Sequence, residues 1–104
     1  MMTEKFLIYQ NLISALQNVI DPETGADVIR MRLVENLVIH DDGTAEYQFR
    51  PSSPLCPLAV TLVMQIVEVV KGVDGITNQK VSVVDYIGAE ELNKILSVML
   101  RSNQ

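Results

Sequence analysis

The stretch from Leu58 to Lys71 constrains this fold more than any other part of the chain. Its polar residues Thr61, Gln65 and Glu68 recur at i, i+4 and i+7, so on a helix they form one narrow stripe. A helix that is apolar around most of its circumference must be covered on more than one side. Its neighbours are therefore expected to be a sheet together with another helix or a second subunit. The glycines of Lys71-Gly72-Val73-Asp74-Gly75 end it.

The remaining segments supply those neighbours. From Glu4 to Ile20 the apolar residues Tyr9, Leu12, Ile13, Leu16, Val19 and Ile20 predict a helix with one buried face, with Thr3 as its N-cap. Pro22 cannot continue that helix, so Asp21-Pro22-Glu23-Thr24-Gly25 reads as its stop and a turn. Leu33, Leu37 and Ile39 predict one face of a strand, with Val34 and Val38 on the other. Asp41-Asp42-Gly43 then connects to a second strand in which Ala45, Tyr47 and Phe49 alternate with polar residues. That alternation predicts a sheet open to water on one side. Val81, Val83 and Val84 mark a third strand. A last helix runs from Glu90 to Leu100, with Leu92, Ile95, Leu96 and Met99 on one side. The expected fold is α+β, a two-layer α/β sandwich in the order α-β-β-α-β-α, with a small mixed sheet packed by helices. Its 104 residues suit a single domain over 1–104.

Composition narrows the function classes. A net charge of −5 and eight scattered basic residues argue against nucleic acid, whose binding needs a positive surface to replace counterions. The longest apolar runs fall short of the ~20 residues a membrane helix needs. No basic segment followed by an apolar core and a cleavage site is seen, and a lone cysteine suits a reducing compartment, so a cytoplasmic protein is expected. No Cys or His pair has zinc-ligand spacing, and there is neither a Gly-rich phosphate loop nor a nucleophile elbow.

The one cysteine, Cys56, lies in Pro51-Ser52-Ser53-Pro54-Leu55-Cys56-Pro57, directly before the apolar helix. The unpaired amide hydrogens of a first helical turn, with the positive end of the helix dipole, favour an anion. A thiol placed there loses its proton more easily than a free one, and the thiolate is what attacks electrophiles and binds metals. Pro57 suits the first helical position, where its missing N–H costs nothing. The competing reading is a packed thiol, since free cysteine is among the most buried residue types. His40, the only histidine, reads as a solvent-exposed residue at a strand end.

Three segments in order resemble the PaaD/SufT-like (DUF59) iron–sulfur assembly domains. Val19-Ile20-Asp21-Pro22-Glu23-Thr24-Gly25-Ala26-Asp27-Val28-Ile29 is similar to the family's DPE signature, and Ser52-Ser53-Pro54-Leu55-Cys56-Pro57-Leu58 to its CP loop. Lys71-Gly72-Val73-Asp74-Gly75-Ile76 with Val81-Ser82-Val83 resembles its passage into the last core strand. The resemblance implies a cytosolic, non-enzymatic factor that helps mature or insert Fe–S clusters, with Cys56 as the reactive or cluster-contacting group. Its implied partners are Fe–S scaffold or client proteins; a homodimer is a further candidate assembly, since two copies would supply two thiolates. Departures are Arg32, where the family has Gly, Ser52 for the usual Thr, and Asp85-Tyr86-Ile87-Gly88 in place of a Trp-containing segment.

Clusters take thiolate ligands, usually four, which a single Cys56 cannot supply. The chain is therefore expected to contact a transient Fe–S cluster as cargo, the metal ligands being shared between subunits or with a partner. Asp21 and Glu23 are candidate supporting carboxylates if their turn folds beside the cysteine loop; with Pro22 they also make sense as a helix stop. Ser52 and Ser53 are expected to cap the following helix or to donate to the sulfur. Two other readings compete. One is a thiol-dependent enzyme with Cys56 as nucleophile and His40 as base. The other is a non-catalytic interaction module that uses the central helix as its surface.

Overall fold

The structure, a computed structural model, describes residues 2–55 and 57–101. Its elements are α1 (Met2–Leu16), β1 (Val34–Ile39), β2 (Thr44–Phe49), α2 (Ala59–Lys71), β3 (Asn78–Val83) and α3 (Ala89–Arg101), in the order the hydrophobic pattern predicts. β2 is the middle strand, antiparallel to β1 and parallel to β3. The hairpin loop makes the first pairing, and the α2 crossover permits the second.

Pairing of Ala45 with Gln79, Tyr47 with Val81 and Phe49 with Val83 puts these residues on one face. That face carries the core. Glu46 and Gln48, beside Lys80 and Ser82, look the other way into water. α2 buries Ala59, Leu62, Val63, Ile66, Val67 and Val70 and packs against both β3 and α1, so its wide apolar face is covered by sheet and helix together. A buried polar chain ties it to the sheet: Tyr47 Oη donates to Gln79 Oε1 at 2.8 Å, and Gln79 Nε2 donates to the Val67 carbonyl at 3.0 Å. Burial pushes the Tyr47 hydroxyl pKa well above its ordinary value. α3 closes the outer edge of β3, where the Asn93 side-chain amide donates to the Val83 carbonyl (3.1 Å) and accepts from the Val83 N–H (2.7 Å). It thereby serves two main-chain groups that a bare sheet edge would leave open. Among the described residues no helix is long and apolar enough to cross a membrane.

Several boundaries differ from the sequence expectations. α1 ends at Leu16 rather than Ile20, and Thr3 lies inside it rather than at its cap. Val19 and Ile20 are extended instead: the Val28 N–H donates to the Val19 carbonyl, and Ile20 bridges Asp27. Two β-branched residues just ahead of Asp21-Pro22 favour this, because the residue before a proline is driven out of the helical region. Leu12, Leu16 and Val19 are buried as expected, but Tyr9 and Ile20 are exposed.

β1 departs from simple alternation. Asn36 and Leu37 together oppose Tyr47 between the pairs Glu35–Gln48 and Val38–Glu46, a β-bulge with Asn36 at φ +56°. Asn tolerates that left-handed conformation better than most residues, and its Nδ2 donates to Gln48 Oε1 at 2.7 Å. The extra residue puts Val34 and Ile39 in the core and leaves Val38 exposed. On α3, Leu92, Leu96 and Leu100 are buried, while Ile95, expected inside, faces solvent.

The β1–β2 turn is closed by Gly43 at φ +91°; a Cβ there would also lie 2.8 Å from the Gly75 carbonyl oxygen. Thr77 locks the turn to the start of β3, its N–H donating to the Gly43 carbonyl and its hydroxyl to the Asp42 carbonyl.

Candidate functional site

β2 and β3 run parallel and β1 runs against them, so three connections meet at one end of the sheet: the segment entering β1, the loop leaving β2 and the segment leaving β3. The segment entering β1 contains the Asp21-Pro22-Glu23 turn. Asp21 is fully buried. Its Oδ1 accepts from the Glu23 N–H at 3.1 Å and its Oδ2 from the Thr24 hydroxyl at 3.3 Å. Its main chain closes the same turn, accepting from the Gly25 N–H and donating to the Ala26 carbonyl. Asp21 therefore shapes the turn from within, as Asp side chains do when they bond backbone two residues on. Asp27 works likewise on the following turn, its Oδ1 accepting from the Ile29 and Arg30 N–H groups.

That turn does fold beside the loop leaving β2. Ser52 Oγ donates to Glu23 Oε2 at 3.4 Å across 29 residues of sequence. Ser53 Oγ instead accepts from the Leu55 N–H at 3.3 Å. Neither serine caps α2: its N-cap is Leu58, with no side-chain bond, and Pro57 lies in the preceding turn rather than at the first helical position. Cys56 itself lies outside the described residues, so the expectation of its activation at a helix start, and of Ser52 or Ser53 donating to its sulfur, rests on its neighbours in sequence.

The third connection brings in Arg50, which no sequence pattern singled out, and the Asp85-Tyr86-Ile87-Gly88 segment, marked in sequence only as a departure from the family pattern. The Ile87 N–H donates to the Pro54 carbonyl at 2.9 Å, and Arg50 at the end of β2 pairs with Asp85 (2.9 Å) and with Glu35 of β1 (3.1 Å). Asp85 stands at φ +52° and Arg32 at φ +58°. The left-handed conformation of Arg32 explains why glycine suits that position: only glycine adopts it without steric cost. Arg32 thus keeps the turn while carrying a side chain that is exposed. Around the loop, Leu55 and Ile87 are 69% and 78% exposed, on the two segments that the Pro54–Ile87 bond joins.

His40 lies at the other end of the sheet. Its Nε2 is 2.7 Å from Glu46 Oε1, both side chains half in solvent, beside the hairpin turn. There the Lys5 ammonium, through a 2.8 Å hydrogen bond and its charge, holds the Asp41 carboxyl below its ordinary pKa. His40 is thus an exposed strand-end residue as expected, and the sheet separates it from Pro54 and Ser52. Among the described residues no three His, Cys, Asp or Glu side chains are grouped to hold a metal ion.

The chain and its fold match known relatives. Residues 10–83 match the family model described as iron–sulfur cluster assembly protein. The chain is 28% identical over 75 residues to the Fe–S protein maturation auxiliary factor YitW of Bacillus subtilis, covering 72% of this chain and 74% of that one. Its fold is that of a DUF59 domain from Bacillus anthracis, with a TM-score of 0.71 at 23% identity over 97% of this chain and 98% of the other. A conserved hypothetical protein from Thermotoga maritima superposes with a TM-score of 0.62 at 26% identity, over 86% and 90% of the two chains. The two signature segments that meet at the Glu23–Ser52 contact both fall inside the matched region, and the chain belongs to the iron–sulfur cluster assembly protein family.

Proposed function

We propose that the protein is an iron–sulfur cluster assembly or maturation factor that works through Cys56, as a transient thiolate contact to a cluster in passage or to the client that receives it. The observation that carries this reading is the meeting of the Asp21-Pro22-Glu23 turn with the cysteine loop through Glu23 and Ser52. A carboxylate and a hydroxyl are thereby set at the root of the loop that bears the only thiol. Asp21 holds the turn and Glu23 is its outward group, a supporting carboxylate for metal or client. Since clusters take about four thiolates, the other ligands come from a second copy of the chain or from a scaffold or client protein. This suits handing over better than storage. The role is accessory rather than enzymatic: a thiol enzyme would need a base at Cys56, and His40 is bonded to Glu46 at the far end of the sheet.

The test is anaerobic reconstitution with iron and sulfide, followed by visible spectroscopy and mass measurement, together with complementation of a deletion strain. Wild type is expected to gain Cys56-dependent absorption or to bind a scaffold or client. Identical behaviour of Cys56→Ser in all of these would refute the reading.

A further inference from the structure

We propose that the corner formed by Arg30, Met31 and Arg32 docks an acidic segment of a partner protein. The partner's role rests on the functional reading above, on which it is the scaffold or client. At φ +58° the Arg32 backbone holds a conformation that only glycine adopts without steric cost. Such positions persist where another interaction offsets them, and they mark functional surfaces more than ordinary ones. No such interaction lies within the chain. The Arg32 N–H donates to the Ile29 carbonyl at 3.1 Å, a main-chain bond that glycine would make equally well. Among the described residues its exposed guanidinium has neither a hydrogen bond nor an ion pair.

Arg30, two residues earlier, is likewise exposed and unpaired. Asp27, on the same turn, points its Oδ1 at the Ile29 and Arg30 N–H groups instead. Lys5, Arg50 and Lys94 are paired with carboxylates, and the unpaired Lys71 and Lys80 lie apart, at the end of α2 and on the wet face of β3. Two free guanidinium forks thus flank the exposed Met31, with exposed Ile20 held nearby by its bridge to Asp27. A planar fork matches a carboxylate, and the apolar pair suits an aliphatic side chain between acidic ones. The net charge of −5 selects a short acidic segment over nucleic acid or an anionic membrane. An extended polyanion would meet repulsion everywhere beyond this corner, whereas a short segment is steered to it. The corner also faces the right end of the sheet. Leu33, next to Arg32, accepts from the Arg50 N–H at 2.7 Å just before the cysteine loop begins.

The test titrates a short peptide of Glu and Leu into isotopically labelled protein and follows main-chain and arginine side-chain NMR signals. Wild type is compared with Arg30→Gln, Arg32→Gly, the double variant, and the control pair Lys71→Gln and Lys80→Gln. Glycine keeps the left-handed backbone, so lost binding in Arg32→Gly is not lost folding. Shifts are expected to centre on residues 30–32, with each arginine variant binding about threefold more weakly and the double about tenfold. Affinity should fall as salt rises from ~50 to ~300 mM. The lysine variants should bind like wild type, and a peptide with Gln for Glu should not bind. Shifts centred elsewhere, no binding, or equal loss in the lysine variants overturns the proposal. So does equal, arginine-dependent binding to phosphatidylglycerol vesicles or single-stranded DNA, or arginine-dependent self-association in light scattering. No cluster enters the titration, so failed reconstitution counts against the assembly reading alone and failed peptide binding against the docking surface alone.

Discussion

Ser52 Oγ lies 3.4 Å from Glu23 Oε2, joining the turn before β1 to the loop after β2. Both residues are exposed, so the contact adds little to stability; exposed polar pairs contribute about 0–1 kcal/mol. Its value is geometric. Glu23→Ala and Ser52→Ala are each expected to lower complementation of a deletion strain several-fold while shifting urea stability by less than about 1 kcal/mol. Loss of activity accompanied by global unfolding would contradict this.

Asp21 should behave differently from its neighbour. Its carboxylate is fully buried and accepts from Glu23 N–H and Thr24 Oγ1. Asp21→Ala strips two donors of their acceptor and is expected to cost about 2 kcal/mol, measurable in urea. Asp21→Asn keeps one acceptor oxygen and should retain part of that stability.

Arg32, at φ +58°, sits where a β-branched side chain fits badly. Arg32→Val is expected to destabilise by about 1–2 kcal/mol. Arg32→Gly relieves the strain but adds unfolded-chain entropy, so it should stay within about 0.5 kcal/mol of wild type or exceed it. Thermal melts of the three proteins decide. Equal melting of the valine and glycine variants would argue against a left-handed Arg32.

Gly43 meets two demands at once, a φ of +91° and a Cβ position 2.8 Å from the Gly75 carbonyl. Gly43→Ala is expected to cost more than about 2 kcal/mol, the backbone penalty and the clash together. Chemical denaturation measures it, with loss of the hairpin's amide protection as the local signature.

Tyr47→Phe leaves Gln79 Oε1 buried without the 2.8 Å bond that now satisfies it, an expected loss of about 1–3 kcal/mol at neutral pH. The pH dependence follows from the same burial. Tyr47 stays neutral in the folded protein, whereas in the unfolded chain it ionises near its ordinary pKa of 10.0. The stability tied to the neutral hydroxyl is therefore complete below pH 10 and declines as pH rises above it. Urea titrations from pH 7 to 11 should show a fall in stability above pH 10 that is shallower in Tyr47→Phe.

Much of this fold was legible in local pattern. The stripe of Thr61, Gln65 and Glu68 announced a helix needing cover on several sides, and the alternation through Ala45, Tyr47 and Phe49 announced a sheet with one wet face. Both signals depend on periods that each residue reports by its polarity alone. Local pattern failed where a neighbour in space overruled it: at Val19 and Ile20, drawn into pairing with the Asp27–Val28 segment, and at Asn36, whose bulge reset the faces of β1.

The candidate site divides the same way. Cys56, Asp21, Glu23 and Ser52 could be singled out from residue type and motif, because their chemistry is carried by the side chain itself. That Asp21 turns inward while Glu23 meets Ser52 is decided by the fold. So are the Arg50–Asp85 ion pair and the Ile87–Pro54 hydrogen bond, each spanning more than 30 residues of sequence. Such contacts leave no period or motif behind. They arise only when parallel β2 and β3 bring their ends together, and that closeness is a property of chain topology rather than of any one segment.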